Sequence, residues 1–405
     1  MQKKKGISLI VLVITIIVMI ILAASVVVTL NNTGIINKAN QALELQNMSQ
    51  IENIVSLVWS EAYMNGIKDK EEIKELVVDE LKKQNVNTDE LSFNITDKGI
   101  NVSKMEFKVD KLYANILEGV YVYARVMVPV GYTDVNVKFT ATSGETSKIT
   151  KYTTEGDYRI YKMGMIPYIA ARDIVAEVSA TYNGEEVKIV SEPFCIATYC
   201  KSLLAKSDSE IDTNVRKGAT MKKVAASMLD YIAGIQVSLN SETTNLANEG
   251  VNFENPFVEL TYGDRVDTVN KETTTVKNNA FNLSHSATTK IMQRVYAQNK
   301  ESVTVKIKSE NSPEITRTYK DFEDGGTNYY ILYTDFINVE NYKDIYTFRI
   351  YENGELTETI TFSIRSFVYV HQNKTESDGT TLTPLAKTVR ALWQYYTAIE
   401  EYKSL

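Results

Sequence analysis

The chain reads as an α+β protein: a long N-terminal helix, apolar then amphipathic, followed by two duplicated β-rich, sandwich-like modules, each closed by a helix. Three observations predict this. An uncharged apolar run occupies Ile7–Leu30 behind a basic leader. Helical periodicity then resumes as far as Ala62, and from about residue 110 onward the same series of elements occurs twice.

The leader is Met1-Gln2-Lys3-Lys4-Lys5-Gly6. About 24 residues of apolar run, at 1.5 Å rise each, would span roughly 36 Å as a helix, enough to cross a bilayer with some tilt. Lys3, Lys4 and Lys5 would hold their end in the cytoplasm, which places everything after Leu30 outside the cell membrane. A secretory signal peptide has a shorter apolar core with a small-residue cleavage site after it. The order Lys-Lys-Lys-Gly6-Ile7-Ser8-Leu9-Ile10 ahead of a membrane-length run instead resembles the class III signal of type IV prepilins, in its Gram-positive form. That resemblance implies a prepilin peptidase as partner, cleavage between Gly6 and Ile7, and N-methylation of Ile7. It also implies that Ile7, Val11, Ile14, Val18 and Ile21 belong to the transmembrane and assembly helix, packing among other pilin-like subunits.

Two positions depart from the family pattern. Mature pilins usually begin with phenylalanine and carry glutamate as their fifth residue, where this chain has Ile7 and Val11. A carboxylate inside a membrane costs a few kcal/mol and is kept where it has a partner. Val11 eases insertion and removes a contact that sets subunit register. The resemblance therefore implies a pilin-like or pseudopilin-like surface protein, a minor or tip subunit of a type IV pilus or type II secretion-like filament with an adhesive role. The alternative is a permanently signal-anchored surface protein whose modules recognise a glycan or a protein.

Net charge is −7 although three lysines sit in the leader, so the exported part is more acidic still. This argues against nucleic acid or anionic lipid as a partner. Tyrosine (25) far outnumbers tryptophan (2), a balance shared by extracellular β-rich surfaces and by half-buried strands. Only Cys195 and Cys200 are present, so no disulfide framework holds the fold. They read as two buried apolar thiols or, where a turn opens between them, as a pair close enough to bridge.

Along the chain, residues 1–6 form the leader and 7–30 the transmembrane helix. Residues 31–109 should form an extracellular helix plus a short α/β unit. Its first helix ends at Asn65-Gly66 in a left-handed cap, and a second amphipathic helix runs from about Asp69 to Lys83. Strands are expected around Leu91–Ile95, Ile100–Val102 and Met105–Val109.

The duplication defines the rest: module 1 over 110–236, a linker over 237–254, and module 2 over 255–405. Val175 to Glu185, ending Asn183-Gly184-Glu185, corresponds to Ile345 to Glu355, ending Asn353-Gly354-Glu355. Tyr199 falls on Tyr369, and Val135 to Phe139 matches Val303 to Ile307. Lys223 to Tyr231 matches Lys387 to Tyr395, with Leu229-Asp230-Tyr231 against Trp393-Gln394-Tyr395. Each Asn-Gly predicts a type I′ hairpin. The closing helices present stripes, Val224, Met228, Tyr231 and Ile235 in one and Ala391, Leu392, Tyr395 and Ile399 in the other, expected to cover one side of a sheet. These units also resemble, more faintly, tandem strand-plus-helix modules on surface proteins of Gram-positive gut bacteria.

The sequence carries no G-x-x-x-x-G-K-[ST], G-x-S-x-G or H-E-x-x-H. His285 and His371 have no neighbouring histidine, and each reads as a solvated or capping residue. Asp208-Ser-Glu210-Ile-Asp212-Thr-Asn214 alternates oxygen donors as a calcium loop does, but Thr213 stands where glycine is needed and Ala219 where glutamate is needed. It reads as a solvated loop, and Asp321-Phe-Glu323-Asp324-Gly325-Gly326 as a plain turn. No catalytic residue, metal ligand or cofactor is expected.

Overall fold

A computed structural model describes residues 35–405, apart from 89–90, 97–98, 241, 265–267, 272–276, 286–287, 327–328, 336 and 338. The chain divides into two compact units, one built on residues up to Glu106 with Val128–Val130, the other on Phe107–Met127 with Gly131–Leu405.

In the first unit, α1 (Ile35–Met64) stops at Asn65-Gly66, where Gly66 takes φ +79° and turns the chain. Helix α2 (Lys70–Lys83) starts at Asp69, whose carboxylate accepts the backbone N–H groups of Glu71 and Glu72 at 3.0 Å each. Glu71 and Glu72 at its start and Lys82 and Lys83 at its end match the helix dipole. Strands β1 (Leu91–Thr96) and β2 (Gly99–Lys104) form an antiparallel hairpin with Phe93 opposite Val102. Val55, Val77, Leu81, Leu91 and Val102 make the small core.

This corrects the expected fold class, a transmembrane/amphipathic pilin-like helix carrying two sandwich-like modules. The described residues form a mixed α+β arrangement with five antiparallel sheets, and none of their helices is long and apolar enough to cross a membrane. Asn, Gln, Glu and Ser recur along α1, as expected of a helix outside the membrane, and its buried positions serve a local protein core. Residues 7–30, on which the spanning helix rests, lie outside the described residues.

The second unit holds both copies. The first runs through β3 (Lys108–Ala114), β4 (Tyr121–Met127), β5 (Thr133–Ala141), β6 (Thr146–Ile149), β7 (Thr153–Glu155), β8 (Tyr158–Gly164), β9 (Ile174–Tyr182) and β10 (Glu185–Val190). Helices α3 (Ile196–Ala205), α4 (Asp208–Ile211) and α5 (Val215–Asn240) follow. The second copy has β11 (Thr268–Lys271), β12 (Lys277–His285), β13 (Thr289–Tyr296), β14 (Val303–Lys308), β15 (Ile315–Thr318), β16 (Glu323–Gly326), β17 (Tyr329–Tyr333), β18 (Tyr346–Glu352) and β19 (Glu355–Phe362). It ends in α6 (Ile364–His371) and α7 (Pro384–Ser404).

Strand orders repeat between copies. One sheet is β3-β4-β8-β7 in the first copy and β12-β13-β17-β16 in the second. The other is β10-β9-β5-β6 and β19-β18-β14-β15, with β11 added at the β19 edge. The strand expected near Met105–Val109 is β3, and it pairs in this second unit. In β9, Ile174, Ala176, Val178 and Ala180 point inward by simple alternation, as do Tyr346, Phe348 and Ile350 in β18. Both Asn-Gly turns carry the two left-handed residues that a type I′ turn needs: φ +52° and +83° at Asn183 and Gly184, +51° and +87° at Asn353 and Gly354.

The closing helices do not each cover their own sheet. Helix α5 packs chiefly on α7, antiparallel to it: Lys223 meets Glu401 near one end of the pair and Ser238 meets Thr388 near the other. The apolar stripes read from the sequence are buried, with Val224, Met228, Ile235, Leu392 and Ile399 almost fully so. Burying one such side chain stabilises by about 1.5–3 kcal/mol.

Candidate functional site: a cleft on the paired helices

The helix pair sits on an internal two-fold relation. Residues matched by the duplication, Tyr231 and Tyr395, face each other with rings 6.4 Å apart and 9° from parallel. Each tyrosine then reaches into the opposite copy. The Tyr395 hydroxyl donates to the Ile116 carbonyl between β3 and β4 at 2.7 Å, and the Tyr231 hydroxyl lies 2.8 Å from His285 Nδ1 at the end of β12. Tyr396 adds a bond from its hydroxyl to Thr289 Oγ1 at 2.9 Å. Burial raises the Tyr231 and Tyr395 hydroxyls well above the usual tyrosine range and pushes Tyr396 up to about 12. Burial also drives His285 down to about 4, so its ring is neutral at neutral pH.

One face of this pair carries a cleft of about 440 Å³, within the size range of small-molecule sites. Helix α5 contributes Asp230, Ala233, Gly234 and Val237; α7 contributes Lys387, Arg390, Ala391 and Gln394. The backbones approach closely here, since a Cβ on Gly234 would lie 2.6 Å from Thr388 Oγ1 and 2.9 Å from its Cα.

The third wall is the segment after α5. Residues 237–254 have the polar composition of a linker, yet Val237 to Asn240 belong to α5 and much of the rest is pinned to the pair. Gln236, fully buried, donates to Glu242 Oε2 at 2.7 Å and accepts the Ala247 N–H at 2.8 Å. Asn255 donates to Ser227 Oγ at 2.7 Å and accepts from Gln394, and Gln372 holds both the N–H and the carbonyl of Leu260, at 2.9 and 2.7 Å. Leu246, Asn248, Asn255 and Phe257 thereby become cleft lining.

The electrostatics differ along the cleft. At one end Asp230 accepts from Asn248 Nδ2 at 2.8 Å, and desolvation raises its carboxyl above the usual range, partly offset by that bond. At the other end stand two cations. Arg390 donates to the Gln372 carbonyl at 2.7 Å and to Asn373 Oδ1 at 2.5 Å, with its guanidinium 4.9 Å from the centre of the Phe257 ring. Lys387 is exposed, and neither cation forms an ion pair among the described residues. The floor between the ends is apolar. Such a surface can hold an apolar body while fixing a charged group at the Lys387 end.

The residues singled out in the sequence fall elsewhere. Gly6, Ile7, Val11, Ile14, Val18 and Ile21 lie outside the described residues. The acidic run at 208–214 is spent on helix starts: Ser207 and Glu210 form a capping box for α4, and Asn214 Oδ1 accepts the Arg216 N–H at 3.1 Å at the start of α5. Asp321 caps a short turn by accepting the Thr318 N–H at 2.8 Å. Cys195 and Cys200 are free and buried. His371 packs on Phe367 at 4.4 Å, and burial lowers its pKa. Among the described residues no group of three or more His, Cys, Asp or Glu could hold a metal ion. The cleft residues were not singled out, although the duplication offers a signal, because it aligns Asp230 with Gln394 and Lys223 with Lys387.

No protein-family model and no curated protein matches the sequence. Among solved structures, the crystal structure of S. aureus TarS 217-571 is similar at TM-score 0.18 and 9% identity, over 69% of this chain and 75% of that one. The crystal structure of S. aureus TarS gives TM-score 0.17 and 8% identity, over 69% of this chain and 48% of that one. At such TM-scores the likeness carries no argument about fold or function.

Proposed function

We propose that this chain is a non-catalytic binding protein acting outside the cytoplasm, in which two related β-rich copies are locked through a shared helix pair and capture a ligand in the cleft on that pair. The carrying observation is the cleft itself: an apolar floor with a few placed polar groups, walled by both copies and a pinned segment. Its lining offers one carboxylate, two cations and amides, a set suited to holding a molecule in place. The test is fragment mapping by ligand-observed NMR on the full chain and on Val237→Trp, which fills the cleft from a half-buried position. Fragments that bind the parent and are lost in the variant are expected; binding untouched by the variant would sink the reading.

A second reading is favoured by the first residues, Lys3-Lys4-Lys5-Gly6-Ile7, whose resemblance to a prepilin signal supports a pilin-like subunit of a surface filament trimmed by a prepilin peptidase. N-terminal sequencing of native protein decides it. A start at methylated Ile7 is expected, with processing lost in Gly6→Val; a retained lysine leader would exclude it.

A further inference from the structure

The internal two-fold relation supplies a template for what the cleft receives. Thr220, Lys223 and Glu401 form a closed polar cluster in one half of the helix pair, with Lys223 Nζ 2.8 and 2.9 Å from the two Glu401 carboxylate oxygens and Thr220 Oγ1 3.3 Å from one of them. The duplication carries Thr220 onto Pro384, Lys223 onto Lys387 and Val237 onto Glu401. The counterpart cluster is therefore Pro384, Lys387 and Val237, and all three line the cleft. One half supplies its lysine with a carboxylate from within the chain. The other half presents the same lysine beside a valine, with an opening where the carboxylate would be.

We infer that the cleft takes a small molecule with a carboxylate head and an apolar stem, the head seated on Lys387 as the Glu401 carboxylate is seated on Lys223. This rests on the binding reading above and adds the chemical class. Arg390 stands one turn along α7 from Lys387 and adds positive charge to the same wall. Ala233, Gly234 and Ala391 offer the stem a shallow apolar track leading toward Gln394 and Asp230, roughly 10 Å from Lys387 by helix rise. The opposite charge preference is disfavoured, because an ammonium head at the Lys387 end would meet two cations and no carboxylate.

The experiment is a ligand-observed NMR titration of the full chain with hexanoate, hexanol and hexylamine, each probe sharing one stem. Hexanoate should bind about 2- to 5-fold more tightly than hexanol, and hexylamine weakest of the three, since an ion pair on an exposed lysine is worth about that factor. Val237→Glu rebuilds inside the cleft the pair already present at Lys223 and Glu401. It should cost hexanoate about 2- to 5-fold with an unchanged thermal melt, and Lys387→Gln should do the same. Equal binding of hexanol and hexanoate, or indifference to Val237→Glu in a folded variant, would overturn the carboxylate assignment and leave the cleft as a binding site. Failure of all three probes while mapped fragments still bind in a Val237→Trp-sensitive way would overturn the assignment alone. Failure of fragments and probes together would remove both readings.

Discussion

The two halves of the helix pair share an ancestry of pattern and differ in what each position is used for. Lys223 is paired with Glu401, whereas its counterpart Lys387 lines a cleft with Val237 and has no ion pair among the described residues. Gly234 lets Thr388 come close, whereas Ala398, the residue matched to Gly234, is buried with a methyl group in place. Tyr395 binds a backbone carbonyl, whereas Tyr231 binds an imidazole. The symmetric frame carries different residues at equivalent positions, with a cleft on one side and the Lys223–Glu401 pair on the other. The lesson is that a repeated contact can leave an opening where one copy lacks the group that satisfies the other.

Breaking the reciprocal tyrosines should have the largest effect. Tyr395→Ala and Tyr231→Ala each remove a buried ring at the junction of both copies, at an expected cost of about 3–5 kcal/mol. Urea unfolding midpoints on the full chain give the measurement. The comparison sharpens with phenylalanine, because Tyr395→Phe leaves the Ile116 carbonyl without its buried donor, costing about 1–3 kcal/mol. Fully additive losses in the double alanine variant would show that the rings do not couple across the pair, contrary to their stacking.

The His285 contact adds a pH dependence that its counterpart lacks. Burial lowers the folded pKa of His285 to about 4, below the ordinary value of 6.5. As pH falls through 6.5 the unfolded chain takes up a proton that the folded chain refuses, so stability drops until about pH 4 and then levels. The loss is on the order of 3 kcal/mol by linkage. His285→Gln keeps a polar partner for Tyr231 and should flatten this part of the curve. An unaltered slope between pH 6.5 and 4 would place the titration elsewhere.

Gly234→Ala comes next. Its methyl would meet Thr388 at contact distances no relaxed structure shows, so the helices must separate locally, at about 1–3 kcal/mol. At the matched position Ala398→Gly removes a methyl from a helix interior and should cost about 1 kcal/mol through propensity. Thermal melts of both variants, side by side, test whether close approach is confined to the cleft side.

These contrasts also explain which parts could be read from the chain. The Asn-Gly hairpins, helix α2 and the burial of the closing-helix stripes were legible, because each is decided by residues within a few positions of one another. What the stripes pack against was not legible, since periodicity reveals a buried face and not its partner. The segment after α5 has the composition of a linker, but Asn248 and Asn255 spend their amides on Asp230 and Ser227, a long-range use that composition does not record. Lys387 carries the same letter as Lys223 and gains its distinct character only from Val237, on another helix. The acidic run at 208–214 shows the reverse case, where a ligand-like spacing serves helix caps.

The smallest contrast concerns the outer faces of the sheets formed by β3-β4-β8-β7 and β12-β13-β17-β16. Arg125 and Arg294 occupy matched positions, opposite Ile160 and Ile331 on the neighbouring strands. Each lies over a tyrosine, Arg125 at 3.6 Å from the Tyr158 ring centre and Arg294 at 5.4 Å from that of Tyr329. Arg125 is also bound by Asp110 at 3.0 Å, whereas Arg294 has no ion pair among the described residues. Cation–π contact at such partly exposed sites is worth about 0.5–1 kcal/mol, and a surface ion pair about as much or less. Arg125→Met should therefore cost about 1 kcal/mol, with part of the loss disappearing in 1 M salt, where surface ion pairs are screened. Arg294→Met should cost about 0.5 kcal/mol and show little salt dependence, because an aromatic face is all it loses. Denaturant midpoints at low and high salt separate the two. Equal salt responses would mean that Asp110, with Glu155 at 3.9 Å, contributes nothing to its arginine and that the two faces are energetically alike.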